Sequence, residues 1–111
     1  MQTFKQYEIV VVPFPFTDRN ANKRRPALIL SDSSSLTIDK SILAMITSSL
    51  HHPWPLDVEI DDLVAAGLNS PSIIRMKLFT LDNSLVVKII GKLCEQDSEK
   101  ISFNLAETFG F

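Results

Sequence analysis

Residues 8–16 read E-I-V-V-V-P-F-P-F. Ile9 and the three valines after it are β-branched, and such side chains fit the pleated surface of a sheet better than the crowded turns of a helix. Pro13 and Pro15 cannot donate a ladder hydrogen bond, so the strand proper is 9–12 and the Pro-Phe repeats carry the chain out at a sheet end. Phe14 and Phe16 point the same way if that exit is extended. This stretch predicts a mainly β chain.

The residues downstream extend that reading. Residues 17–24 are polar and read as a loop. Pro26 biases Arg25 toward extended geometry, and A-L-I-L at 27–30 is a buried strand ended by the loop 31–35. Residues 41–48 (S-I-L-A-M-I-T-S) form a third strand whose apolar run stops at Ile46. After a proline-punctuated loop at 51–55, residues 56–60 alternate. Leu56, Val58 and Ile60 occupy one face, and Asp57 and Glu59 occupy a wet one. Residues 61–67 predict a short helix, capped by aspartate and stopped by glycine. Strands are expected at 72–81 and 85–90.

From Glu95 to Phe109 the period changes: Ile101, Leu105 and Phe109 recur every four residues, which predicts an amphipathic helix. Glu95 and Asp97 suit its N-terminal dipole, and Cys94 stands where a cap belongs. A thiol is a poor cap, and its role is read as structural rather than reactive. Five or six short strands with one terminal helix predict a single domain over 1–111, folded as a small twisted barrel or curled sheet.

Composition narrows the function classes. With 111 residues, 45% hydrophobic and 22% charged, the chain suits one globular core. A core this small leaves much surface in water, so a stable dimer would help. No apolar run approaches the roughly 18–20 residues that cross a bilayer. The N-terminus, residues 1–8, is polar and mixed in charge rather than a signal peptide, so a cytoplasmic location is expected. One cysteine excludes an intramolecular disulfide.

The net charge of −2 argues against indiscriminate phosphate binding, yet the charge is segregated. Arg19, Lys23, Arg24 and Arg25 cluster, while Asp57, Glu59, Asp61 and Asp62 gather elsewhere. His51 and His52 are adjacent, so in an extended segment only one can face a given site. Two neighbouring histidines and a distant cysteine lack metal-ligand spacing, so neither metal nor cofactor is expected. Trp54, in a loop between two prolines, is a candidate stacking surface or partner pocket.

Five segments, in this order and spacing, resemble the MazF/PemK (Kid) family of bacterial toxins: E-I-V-V-V-P-F-P-F-T-D, R-R-P-A-L-I-L-S, A-M-I-T-S, W-P-L-D-V-E-I and G-L…S-I-I-R-M-K-L-F-T-L-D. The resemblance covers nearly the whole chain. It implies an SH3-like small barrel of the CcdB/Kid/MazF type with a C-terminal helix, and a homodimer. It also implies a cognate antitoxin whose disordered tail wraps the toxin, and operator DNA bound only as the toxin-antitoxin complex. It implies metal-independent cleavage of single-stranded RNA, leaving a 2′,3′-cyclic phosphate and a 5′-hydroxyl. The same barrel also carries an alternative, a non-catalytic binder of the gyrase-poison type or one limited to antitoxin and operator.

On the resemblance, the family's catalytic arginine before proline falls on Arg25 and its threonine on Thr47. An arginine that some members use in a later strand falls on Arg75. Phe14, Phe16, Thr17, Arg19, Arg24, Ser48, His51, Trp54 and Lys77 join Arg75 as candidate substrate contacts. Three positions depart from the pattern. Met76 and Lys77 stand where some members carry an aspartate, Phe79 replaces a basic residue, and Arg19 stands for a first-loop histidine.

The chemistry suits the residue types. The neighbouring 2′-hydroxyl is the nucleophile, and the protein must stabilise charge on a phosphorane-like transition state. A guanidinium donates two parallel hydrogen bonds to phosphate oxygens, and a threonine hydroxyl donates one. Losing such a donor typically costs ~3–4 kcal/mol of transition-state stabilisation.

Overall fold

A computed structural model of the chain describes residues 3–13, 24–32, 39–48 and 53–110. Its strands are β1 (Glu8–Pro13), β2 (Arg24–Ile29), β3 (Lys40–Ser48), β4 (Val58–Glu59), β5 (Ser72–Asp82) and β6 (Lys88–Lys92). They form one antiparallel sheet in the order β4-β5-β3-β2-β1-β6. Two helices accompany it, α1 (Leu63–Ala66) and α2 (Glu95–Phe109). The mainly β, SH3-like half-barrel with a C-terminal helix is the expected fold.

Both faces of the sheet are apolar, which forces it to curl and cover itself. On one face Ile9, Leu28, Ala44, Ile46 and Ile74 pack against Ile101 of α2. The alternate residues Val10, Val12, Ala27, Ile29, Leu43 and Phe79 line the other face, where Phe4 and Val86 fold over them. The faces alternate along the strands, with register shifts where β6 meets β1 and where β5 meets β3.

The curl is fixed where the two sheet edges meet. Chain leaving β4, one edge, enters α1, which lies against β6, the other edge. A Cβ on Gly67 would stand 2.0 Å from the Ile90 carbonyl oxygen, and one on Gly91 would stand 2.3 Å from the Ala66 carbonyl carbon. Backbone thus touches backbone, and glycine is required on both sides. Gly67 also ends α1 in the left-handed region at φ 75°. Asp62 caps the start of α1, accepting from the Ala65 N–H at 3.0 Å.

The helix α2 begins where the sequence predicts. The Cys94 thiol does act as its cap, with Sγ accepting from the Asp97 N–H at 3.4 Å. The Asp97 side chain is fully buried. Its carboxylate accepts from the backbone N–H groups of Asp61 and Asp62, each at 3.1 Å, and pairs with Lys100 Nζ at 3.1 Å. Burial pushes this carboxyl up, but the hydrogen bonds from Asp62, Lys100 and Asp61 outweigh it and hold the group below its ordinary range. Lys100 is held above its ordinary range, first by Asp61 and then by Asp97.

Three expectations need correction. The segment after Leu81 does not run on as a strand at 85–90: Asn83–Leu85 is a 3₁₀ turn and the strand begins at Lys88. Asn83 is buried there and accepts from Ser41 Oγ at 2.6 Å, a tertiary bond that favours the turn. Leu56 does not share the face of Val58 and Ile60, because it sits at φ 66° in a turn and is 38% exposed. Asp57 is not on a wet face, since its side chain is only 11% exposed.

Candidate active site

Strand β2 starts earlier than the apolar run suggests, so Arg25 lies inside the sheet rather than ahead of it. It pairs with Val12 of β1, and Arg24 pairs with Pro13. On its other side β2 pairs with β3 at Ala27↔Met45, Leu28↔Ala44 and Ile29↔Leu43. Continued two positions outward, that register sets Arg25 opposite Thr47. Directly opposed residues of an antiparallel pair project to one face, here the face of Ala27 and Met45. The face is the one turned away from α2.

Strand β5 completes the corner. Thr47 pairs with Ile73, and Met45 pairs with Arg75. Arg75 is therefore the diagonal neighbour of Thr47, roughly 7–8 Å away in such a ladder. Thr47 is buried, Arg25 is half-buried, and Arg24 and Ser48 are exposed. By alternation Arg24 and Ser48 project to the opposite face from Arg25 and Thr47, so they flank the corner instead of joining it.

Arg75 is buried with a partner. Its Nε and Nη2 donate to Asp57 Oδ1 and Oδ2 at 3.3 and 3.1 Å. The Trp54 indole lies over this pair, with its ring centroid 4.8 Å from Arg75 Cζ and 5.8 Å from Lys77 Nζ. Trp54, Arg75 and Lys77 are thus brought together, as a cluster beside the Arg25–Thr47 corner. Asp57 belongs to that cluster and was missed in the sequence, where it read as one acid in a solvated run.

The departures from the family pattern have visible surroundings. Met76 turns to the helix-covered core and Phe79 to the opposite one. Neither position offers a charge to this corner. Phe14, Phe16, Thr17, Arg19, His51 and His52 lie outside the described residues. Among the described residues, no group of three or more His, Cys, Asp and Glu could hold a metal ion. An open groove of about 430 Å³ runs between β4 and α2, lined by Asp57, Glu59, Lys100, Phe103 and Asn104 among others. Neither Arg25 nor Thr47 borders it.

Comparison with solved structures finds chains of the same fold. An endoribonuclease in complex with its cognate antitoxin, from a mycobacterial species, superposes with a TM-score of 0.75 at 14% identity, covering 100% of this chain and 97% of that one. MazF of the MazE-MazF complex from Deinococcus radiodurans gives 0.74 at 17% identity, covering 100% and 99%. The Mycobacterium tuberculosis toxin MazF-mt6 gives 0.73 at 21% identity, covering 94% and 97%. At these identities the likeness is one of fold. No curated protein matches in sequence. The sequence profile described as "PemK-like, MazF-like toxin of type II toxin-antitoxin system" matches residues 5–109. Over almost its whole length, then, the chain belongs to the PemK-like, MazF-like toxins of type II toxin-antitoxin systems.

Proposed function

We propose that this toxin is an endoribonuclease that cuts single-stranded RNA through the RNA's own 2′-hydroxyl, with Arg25 and Thr47 as its catalytic residues. The observation that supports the reading is the β2–β3 register, which, extended two positions past Ala27↔Met45, brings these two residues opposite each other on one face. The 2′-oxygen attacks the adjacent phosphorus and gives up its proton to a base. The bond to the 5′-oxygen breaks, and that oxygen takes up a proton. A 2′,3′-cyclic phosphate and a 5′-hydroxyl result. Arg25 donates to the non-bridging oxygens as charge builds on them, and the Thr47 hydroxyl adds a neutral donor.

Arg24, Ser48, Trp54, Arg75 and Lys77 are the described substrate contacts in this reading, with Phe14, Phe16, Thr17, Arg19 and His51 beyond them. Its partners are a cognate antitoxin, operator DNA in the joint complex, and a second copy of the chain. Leu85, Val87 and Ile89, each 42–48% exposed beside or on the edge strand β6, give a homodimer apolar surface to bury. A cytoplasmic location goes with this toxin reading; no helix among the described residues is long and apolar enough to cross a membrane.

The test incubates purified protein with mixed-sequence single-stranded RNA in excess chelator. Specific cuts with cyclic phosphate ends, abolished in Arg25→Ala, are expected. Intact RNA across many sequences, from protein shown to be folded, overturns the proposal.

A further inference from the structure

Asp57 falls within the W-P-L-D-V-E-I segment but has no role in the nuclease reading, and three hydrogen bonds of its carboxylate organise the surface beside the proposed catalytic corner. Its Oδ2 accepts from the Trp54 backbone N–H at 2.7 Å and from Arg75 Nη2 at 3.1 Å, and its Oδ1 accepts from Arg75 Nε at 3.3 Å. One carboxylate thereby fixes both the start of the Trp54 turn and the plane of the guanidinium beneath the ring. Arg75 and Lys77 both leave β5 toward the indole, across a register shift of β5 against β3 that falls between Arg75 and Leu78.

A tryptophan serving only the core is deeply buried. Trp54 is held over a buried ion pair while 43% of it stays in water. The ring is backed by cations and open to solvent. It lies on the face that carries Arg25 and Thr47. An unpaired nucleobase suits such a surface, because every base presents a π-face and the cations behind the ring attract the phosphates that flank it.

We propose that Trp54 is a base-stacking subsite for a nucleotide flanking the cut phosphate, and that Asp57 is the positioning residue that builds it. The inference rests on the nuclease reading for its substrate, but its test separates the two. Trp54 is the only tryptophan of the chain, so intrinsic fluorescence reports on this ring alone. The titrant is a pool of 2′-O-methyl oligonucleotides of mixed sequence, whose blocked 2′-oxygen prevents cleavage.

Saturation is expected to quench the wild-type emission by about half or more, as a stacked base does. In RNA cleavage, Asp57→Asn is expected to raise KM about tenfold while kcat falls less than about threefold, the pattern of lost binding rather than lost chemistry. Trp54→Phe should restore most of the affinity lost in Trp54→Ala, and the Trp54→Ala/Asp57→Asn double variant should bind no worse than Trp54→Ala alone. Unchanged emission in protein that cleaves RNA overturns the subsite, as do additive losses in the double variant. Unchanged emission with oligonucleotides but quenching by an acidic antitoxin segment also overturns it, in favour of a protein-docking surface. Quenching by oligonucleotides in protein that never cleaves RNA keeps the subsite and removes the nuclease. Should Asp57→Asn fail to fold, the Trp54→Ala and Trp54→Phe pair decides alone, because Trp54 is exposed.

Discussion

Asp57 stands just before β4, and Asp97, reaching over from α2, closes on the turn just after it. Both carboxylates are removed from water, with side-chain exposures of 11% and 0%. Asp97 spends its oxygens on the backbone N–H groups of Asp61 and Asp62 and on Lys100. It locks the turn into α1, and α1 is the piece that ties the two sheet edges together. Asp57 spends its oxygens on Arg75 and on the turn that carries Trp54. The first carboxylate organises backbone and holds the barrel; the second organises side chains and shapes a surface. Burial alone does not tell these roles apart, but the identity of the donors does.

That contrast predicts unequal losses. Asp97→Ala removes the charged acceptor of the Asp61 and Asp62 N–H groups and one of the partners of Lys100, which keeps Asp61 and the Glu59 carbonyl, and is expected to cost ~3 kcal/mol in urea unfolding. A loss below ~1 kcal/mol would remove the structural half of the comparison. The same group links stability to acid. Its folded-state pKa is lowered, so its contribution is fully present above the ordinary aspartate value of 3.8 and is lost as pH falls through the folded value. Asp97→Asn should flatten that acid limb of the stability profile. Lys100 works in the opposite sense, because its raised pKa keeps a contribution below 10.5 that is lost as pH climbs through the folded value.

Asp57→Asn retains an acceptor for the Trp54 N–H but withdraws the counter-charge from an Arg75 guanidinium that is only 7% exposed, so it should still cost ~2 kcal/mol in the same unfolding measurement. The smallest effect is expected at Cys94, where a serine hydroxyl caps better than a thiol. Cys94→Ser should gain ~0.5 kcal/mol, seen as a small rise in Tm with RNA cleavage unaltered.

Much of the fold was legible because its signals are local. The β-branched run of β1, the Asp-to-Gly limits of α1 and the four-residue period of α2 each depend on neighbours in sequence. Strand β6 was misplaced because the turn before it is settled by a bond from Ser41, far away in the chain. Arg25 and Thr47 came from motif order, and the paired residues of β2 and β3 stop at Ala27↔Met45, two positions short of them. Asp57 was not legible. Its partner Arg75 lies 18 positions away on another strand, and an aspartate alternating with apolar residues looks the same whether its face meets water or an arginine.

The central claim is that Arg25 and Thr47 act on one phosphate. A double-mutant cycle on kcat/KM, using Arg25→Ala and Thr47→Val with one cleavable RNA, tests it most directly. The account predicts strong coupling: either change alone removes about 100-fold or more, and the pair together removes far less than the product, a shortfall of at least ~1.4 kcal/mol. Losses that simply multiply, or a Thr47→Val enzyme as active as wild type, would contradict it.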